Sequence, residues 1–279
     1  MKLAFSTNAF TRFPLPDALA AIHEAGFEGV EILADTPHAY PDNIDSILTA
    51  NLLRMLEQTG LSVSSVNANC SFGYWKDAPA EPYFEPSLIS TNPKHRADRI
   101  RLIGRTIDFA REIGARNISI TSGKCLAGMP PSRAVEQFTE SIKPILDHAE
   151  RAEIDIGIEC EPGLFIEWAQ ELREWIDRLG SRRLGANLDI GHSEVLGESI
   201  SKTIKLLGDR IWNLHVEDIV NRKHYHMIPG EGTIDWIGMR DALWAIKYDR
   251  FVTVELYTHT ADPMTAARKS HQFLSHLFS

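Results

Sequence analysis

Four side chains that can bind a metal ion stand at the ends of four consecutive predicted strands. They are Glu159 in GIECEPG, Asp189 in NLDIGH, His215 in NLHVED and Glu255 in TVELYT. In a parallel (β/α) barrel the carboxyl ends of all strands lie at one end, so these four side chains would converge. Three carboxylates and one imidazole suit one divalent ion, with Mn²⁺, Mg²⁺ or Co²⁺ favoured and Zn²⁺ possible. The pattern predicts a metal-dependent enzyme.

Strand alternation indicates which neighbouring residues face the barrel interior. Glu161 shares a face with Glu159, and Asn67 shares a face with Asn69. A barrel interior is normally filled with branched apolar side chains, and burying this much acid without compensation costs several kcal/mol per group. A divalent cation would compensate the charge, and Glu161 and Asn67 are then expected to contact the substrate.

Three histidines lie close to these strand ends. His192 follows Asp189 by three residues, and His224 and His226 alternate in KHYHMIPGEG. We expect His192 and His226 to bind metal or substrate, whereas His224 is equally consistent with a surface loop residue. The glycines of PGEG allow the backbone to turn sharply or to approach the site closely.

Strand and helix patterns alternate along the whole chain, which predicts an α/β protein consisting of one (β/α)8 TIM barrel over residues 1–279. An open doubly wound sheet is the alternative, but eight even units and the lack of a GxGxxG motif disfavour it. The predicted strands are 3–8, 29–34, 61–69, 116–122, 155–161, 184–190, 211–218 and 250–257. The predicted helices are 16–25, 44–58, 97–113, 132–152, 166–179, 199–207, 234–245 and 265–277.

The longest irregular stretch, about residues 70–92, follows the third predicted strand and is rich in proline and aromatic residues. A loop of this length in a compact domain is usually a lid or a binding loop, so we expect it over the catalytic end. Its Trp75 could stack on a sugar ring, pack on the barrel rim, or lie in a subunit interface.

Composition excludes several other classes of protein. The chain has 279 residues and a net charge of −9, which gives no overall basic surface for nucleic acid or an anionic membrane. Three cysteines without a CxxC pair make a disulfide framework unlikely and favour a reducing compartment. No signal peptide and no stretch near the ~20 apolar residues of a membrane span are present, so we expect the cytoplasm.

Taken in order, the motifs resemble those of the sugar phosphate isomerase/epimerase superfamily, which is also called the xylose-isomerase-like TIM barrel or apurinic endonuclease family 2. The resemblance covers nearly the whole chain and begins with AGFEGVEI at the second strand. It is carried by Glu159, Asp189-x-x-His192, His215-x-x-Asp218, His226-x-x-x-Gly-Glu-Gly, Asp235-Trp236 and Glu255.

The epimerase members of this superfamily imply one divalent ion held by the four strand-end residues, with Glu159 and Glu255 as the acid/base pair. They also imply that His192 contacts a substrate oxygen, and Arg222 resembles a substrate-binding arginine. The endonuclease members imply that His192 and His226 match two zinc ligands. Their other histidines are replaced in Asn67–Asn69 and Ser122–Lys124, and His224 stands where they have Asp, which disfavours a three-zinc cluster.

The leading prediction is an isomerase or epimerase that moves a proton of a sugar or polyol-like keto substrate through an enediolate. A dehydratase of an inosose-type substrate is a close alternative. A phosphodiester hydrolase and a non-catalytic barrel protein are less consistent with the acidic charge and the intact ligand set. We expect no nucleic-acid partner and a homo-oligomer, either a dimer or a tetramer. The substrate and its phosphorylation remain open at this point.

Overall fold

The computed structural model describes residues 1–69, 71–76 and 84–279. The strands are β1 (Lys2–Ser6), β2 (Gly29–Leu33), β3 (Ser62–Asn67), β4 (Asn117–Thr121), β5 (Asp155–Glu159), β6 (Leu184–Asp189), β7 (Ile211–Val216), β8 (Asp218–Val220), β9 (Lys223–Met227) and β10 (Phe251–Val254). The α-helices are α1 (Leu15–Glu24), α2 (Ser46–Thr59), α3 (Pro93–Glu112), α4 (Pro131–Ala152), α5 (Ala169–Leu179), α6 (Ile190–Leu196), α7 (Ile200–Leu207), α8 (Trp236–Ala245) and α9 (Pro263–Phe278).

Eight strands close a parallel barrel in the order β1-β10-β7-β6-β5-β4-β3-β2. Each predicted strand overlaps one strand of the barrel and each predicted helix overlaps one α-helix of this single (β/α)8 domain, so the predicted fold is confirmed. The main apolar core lies between the barrel and its helices, where residues such as Ile32, Ile118 and Ile158 meet Ile107 and Phe138. Among the described residues no helix combines the length and apolarity that a membrane span requires.

Side-chain caps and glycines set the ends of the helices. Asp45 accepts a hydrogen bond from the backbone N–H of Leu48 at the start of α2, and Gly60 ends that helix with φ of 71°. An acceptor at the N-cap and a left-handed residue after the last turn satisfy backbone groups that have no partner within the helix. The helices therefore stop where the chain must return to the barrel.

Two elements beyond the eight predicted units lie at the carboxyl end of the barrel. Helix α6 begins directly after Asp189, and the antiparallel pair β8–β9 follows β7. The predicted strands 184–190 and 211–218 therefore end one and two residues earlier than expected. Gly191 allows α6 to start there, because a Cβ at this position would lie 1.6 Å from Oε1 of Glu217. These insertions bring the histidines to the barrel opening.

Candidate active site

The four strand-end residues converge inside the carboxyl end of the barrel. Glu159, Asp189, His215 and Glu255 are all buried, and one ligand atom from each lies within 4.8 Å of the others. They come from β5, β6, β7 and the residue after β10, which are neighbours in the closed sheet. The barrel geometry thus brings together the four residues that the sequence analysis selected as metal ligands.

His215 is oriented by a carboxylate that the sequence analysis did not select. Its Nε2 lies 2.8 Å from Oε2 of Glu31, and its Nδ1 lies 2.9 Å from Oε1 of Glu159. An imidazole N–H donated to a carboxylate is the usual way in which a metal-binding histidine is held in one tautomer. Glu31 therefore fixes Nε2 as the donor and leaves Nδ1 directed at the other three residues of the cluster.

Both glutamates of the cluster are held by pairs of side-chain amides. Glu159 accepts hydrogen bonds from Nδ2 of Asn69 at 3.1 Å and from Nδ2 of Asn187 at 3.0 Å. On the opposite side, Oε1 of Glu255 accepts from Asn8 at 2.8 Å and from Asn67 at 3.3 Å. Amide donors hold a carboxylate in place without adding charge, so each glutamate keeps a defined orientation toward the cavity.

The charges in this cluster shift one another strongly. Burial lowers the pKa of His215, but the carboxylates of Glu31, Glu255 and Glu159 outweigh burial and raise it well above its ordinary value. Burial also raises the pKa of Glu255, which His215 only partly offsets. Burial acts to raise the pKa of Asp189, yet the neighbouring histidines hold it below its ordinary range. Protons on His215 and Glu255 therefore compensate part of the negative charge of this cluster.

Buried acceptors without a partner identify where a cation fits. Among the described residues, Oδ2 of Asp189, Oε1 of Glu31 and both carboxylate oxygens of Glu217 are buried and accept no hydrogen bond. Burial, together with the charge of Asp189, raises the pKa of Glu217 well above its ordinary value. Buried polar atoms are nearly always satisfied in native structures, and of these oxygens the one of Asp189 belongs to the four-residue cluster, where a divalent ion would satisfy it. Glu217 lies beside Asp189 in a further group, with His226, that has metal-ligand geometry.

The three histidines meet beside this cluster. Nε2 of His224 lies 2.9 Å from Nε2 of His192 and 2.7 Å from Nε2 of His226. Nδ1 of His192 donates to the backbone carbonyl of Cys160, and Nδ1 of His226 donates to that of Glu255. The imidazoles are a second group with metal-ligand geometry, but they bring no formal negative charge. The carboxylate cluster is therefore the stronger site for a hard cation.

The protonation of these rings differs with their surroundings. Burial lowers the pKa of His192, but Asp189 and Glu161 outweigh burial and raise it to about 9. Burial lowers the pKa of His226 to about 3 and also lowers that of His224. His192 is therefore the cationic member of the group, and its charge lies 3.4 Å from Glu161 and 3.8 Å from Asp189.

A cavity of about 380 Å³ opens above the cluster. Its described lining includes six of the predicted site residues as well as hydroxyl-bearing and aromatic side chains. This size suits a monosaccharide, and the mixture of amides, hydroxyls and imidazoles suits a polyhydroxylated ligand. The lining residues are Asn8, Thr11, Leu33, Asp35, Thr36, Asn67, Asn69, Phe72, Phe84, Thr121, Glu159, Glu161, His192, His224, His226, Glu255 and Tyr257.

Two predicted substrate-binding residues lie elsewhere. Arg222 is exposed at the turn between β8 and β9, with its guanidinium close to Gly197, and it does not belong to the described cavity lining. Trp75 is half-buried against His95 and donates from Nε1 to the carbonyl of Glu85 at 2.8 Å. It links the two described parts of the loop and is also not in the lining. Cys70, Pro79, Pro82 and Tyr83 of the predicted lid lie outside the described residues.

Most of the site residues that the sequence analysis missed hold the four cluster residues or the long loop in place. Asp35 anchors the start of the long loop, because its carboxylate accepts hydrogen bonds from the backbone N–H groups of Ser71, Phe72 and Gly73. Glu31 and Asn187 lie on inward faces of β2 and β6, so strand alternation alone could have suggested them. Asn8 lies beyond the end of β1, where no local pattern distinguishes it.

This fold and this site define a class of protein: a (β/α)8 barrel with a buried, amide-supported carboxylate–histidine cluster at the carboxyl ends of its strands. The sequence profile described as xylose isomerase-like TIM barrel matches residues 19–277. The chain belongs to this family, and the predicted family membership is confirmed.

Known relatives of the chain include sugar epimerases. Fructoselysine 3-epimerase of Shigella flexneri is 23% identical over 275 residues, covering 97% of this chain and 95% of that protein. 3-Dehydro-D-guloside 4-epimerase of Escherichia coli (strain K12) is 21% identical and covers 98% of this chain and 99% of that protein. A solved D-tagatose 3-epimerase-like protein superposes with a TM-score of 0.83 at 21% identity, covering 99% of this chain and 97% of that one. The structural similarity demonstrates the shared fold.

Proposed function

We propose that this protein is an epimerase or isomerase of a sugar that depends on one divalent metal ion. The observation that carries the proposal is the arrangement of Glu159 and Glu255 around a common cluster with Asp189 and His215, each glutamate held by its own pair of amides. The sugar epimerases among the relatives support the same reaction class.

The four residues would hold the ion, which is proposed to be Mn²⁺, Mg²⁺ or Co²⁺. When bound, such an ion supplies electrophilic stabilisation of the negative charge that develops on substrate oxygens. The carboxylate-rich donor set favours these ions over structural zinc, because oxygen ligands suit hard cations. Glu31 would keep His215 in the ligand tautomer through its contact with Nε2.

The protein's own residues would then move one proton in each direction. One glutamate takes the proton from the carbon beside the carbonyl, and the electron pair left behind forms an enediolate. The other glutamate gives a proton back to carbon, on the opposite face for epimerisation. Asn69 and Asn187 orient one carboxylate, and Asn8 and Asn67 orient the other. His192 and His224 line the cavity where they can donate to substrate hydroxyls.

The test is solvent exchange of substrate carbon-bound hydrogen in heavy water, screened over ketoses, inososes and 3-keto glycosides by NMR. Protein treated with a chelator and desalted should lose exchange, and added Mn²⁺ or Co²⁺ should restore it. Full exchange in excess chelator would disprove the metal requirement. Elimination of water from an inosose with no epimer formed would instead identify a dehydratase.

A further inference from the structure

The cavity above the metal cluster is lined by acids and by no permanent cation. Asp35, Glu159, Glu161 and Glu255 line it, and no Lys or Arg belongs to the described lining. The residues outside the described set, Cys70 and 77–83, contain no Lys or Arg either. Within the described lining, the groups that can present a positive charge to a bound substrate are therefore the histidines and the proposed metal ion.

Arg12 follows the lining residue Thr11 but is exposed and outside the lining. Four further basic residues close in sequence to the site also lie elsewhere. Lys124 and Lys223 are exposed, and Arg222 extends over Gly197. Arg99 is buried, and its Nη2 donates to Oδ1 of the lining residue Asn69 at 3.4 Å. None of these four residues is part of the lining.

The helix N-termini that often bind phosphate in barrels are capped by aspartates in this chain. TIM barrels commonly hold a phosphate at helix N-termini after the seventh and eighth strands of the barrel. Here Asp235 accepts from the backbone N–H of Gly238 at the start of α8, and Asp262 accepts from that of Thr265 at the start of α9. Each carboxylate occupies one of the N–H donors that an anion would use, and its negative charge repels an anion.

Glu161 extends the negative charge beyond the metal ligands. Its carboxylate lies 3.4 Å from Nε2 of His192 and 3.9 Å from Nδ1 of His224. The three ligand carboxylates already outnumber the two charges of a divalent ion, so the loaded cluster does not become an anion site. His192 is balanced by its two acidic neighbours. An anionic group in this cavity would lose its hydration and would meet only cations that the surrounding carboxylates already balance.

We infer that the cavity selects sugars without a phosphate or carboxylate group, either neutral or amine-bearing, and that Glu161 enforces this selection. The inference rests on the proposed function only for the assignment of this cavity as the sugar site. The sugars that the cavity accepts share a polyol, which the amides, hydroxyls and imidazoles of the lining would recognise. The acidic residues of the lining would repel anionic substituents.

Calorimetry at pH 8 with Mn²⁺-loaded protein tests the inference through binding, without a turnover assay. Sorbitol should bind at least about tenfold more tightly than sorbitol 6-phosphate, with inorganic phosphate as the control for direct metal ligation. Equal or tighter binding of the phosphate ester, or no binding of sorbitol, would overturn the inference. The two proposals can fail separately. If the heavy-water test finds no hydrogen exchange in any sugar, but sorbitol still binds more tightly than sorbitol 6-phosphate, only the proposed function is contradicted.

Two matched variants test whether Glu161 causes the preference for the uncharged polyol. Glu161→Gln should narrow the ratio of the two affinities about threefold to tenfold, because the repelling charge is gone while the shape remains. Glu24→Gln makes the same charge change on the exposed end of α1, at the opposite end of the barrel, and should leave the ratio unchanged. An unchanged ratio in Glu161→Gln would contradict the role assigned to Glu161.

Discussion

The two ends of the barrel interior are both polar, but they balance their charges differently. At the amino end, the carboxylate of Asp155 pairs with Arg183 at 3.2 Å and with Arg250 at 2.9 Å. At the carboxyl end, carboxylates outnumber the cations, and buried oxygens of Asp189 and Glu31 accept no hydrogen bond. The charges at the amino end are balanced by the protein itself, whereas those at the carboxyl end would be balanced by the proposed metal ion.

This difference indicates where stability and function reside. Paired charges at the amino end hold strands β5, β6 and β10 together and need nothing from solution. Uncompensated acid at the carboxyl end costs folding free energy that a bound ion would recover, which is common at functional sites. The halves are linked through Asn213, which donates to Asn187 at 2.9 Å and accepts from Thr253 at 3.0 Å.

The largest expected effect is on turnover at the carboxyl end. Glu255→Gln should lower kcat by more than about 10²-fold even with Mn²⁺ saturating, because it removes a proposed acid/base group and weakens a proposed metal ligand. The melting temperature of the metal-free variant should not fall, because the substitution removes a carboxyl group whose burial is unfavourable, as its raised pKa indicates. Steady-state kinetics and melting curves check this, and near wild-type turnover would exclude Glu255 from proton transfer.

The imbalance at the carboxyl end should also appear as pH-dependent stability. Burial raises the pKa of Glu161 to about 7, compared with an unfolded value of 4.5. A raised pKa means that the contribution of this group is present below about 4.5 and is lost as the pH rises through about 7. In metal-free protein, the free energy of unfolding of Glu161→Gln should therefore rise relative to that of the wild type as the pH increases from 4.5 to 8, by up to about 3 kcal/mol.

Urea unfolding at several pH values in the presence of chelator measures this difference. Glu24→Gln serves as the control. Its free energy of unfolding should differ from that of the wild type by an amount that does not change with pH. A flat difference for Glu161→Gln as well would mean that the carboxyl end is balanced without a ligand, and the comparison between the two ends would fail.

At the amino end the opposite pattern is expected. Arg250→Met keeps the aliphatic stem against Trp212 but removes one cation from Asp155, and should destabilise the fold by about 1–3 kcal/mol. Arg240→Met makes the same change over Trp244 on the surface and should cost less than about 0.5 kcal/mol. Chemical denaturation measures both, and kcat per folded molecule should stay unchanged. A fall in kcat for Arg250→Met would contradict the division of roles.

The smallest effect is expected from the loop over the carboxyl end. Trp75→Ala removes the hydrogen bond to Glu85 and the packing on His95, and should lower kcat/KM about threefold to tenfold with little change in melting. Trp244→Ala on the exposed face of α8 is the control. Sedimentation addresses the predicted homo-oligomer. Dissociation by Trp75→Ala with unchanged kinetics per site would show that the loop is a subunit interface instead of a lid.

The sequence alone was sufficient for the barrel and for the four proposed metal ligands, because each depends on local periodicity. Alternating apolar strands, helix caps and one acidic or imidazole residue at each strand end are readable within single segments. Glu159, Asp189, His215 and Glu255 follow from this pattern once the strands are taken as parallel, since parallel strands bring their carboxyl ends to one end of a barrel.

Only the tertiary structure decided what surrounds those ligands, because the supporting contacts join distant parts of the chain. Asn8 donates to Glu255 across 247 residues, and Glu31 contacts His215 across 184 residues. The positions of Arg222 and Trp75 outside the cavity lining depend on a hairpin and on loop packing, neither of which has a periodic signal. The sequence specifies side chains and their faces, but barrel closure determines which faces meet.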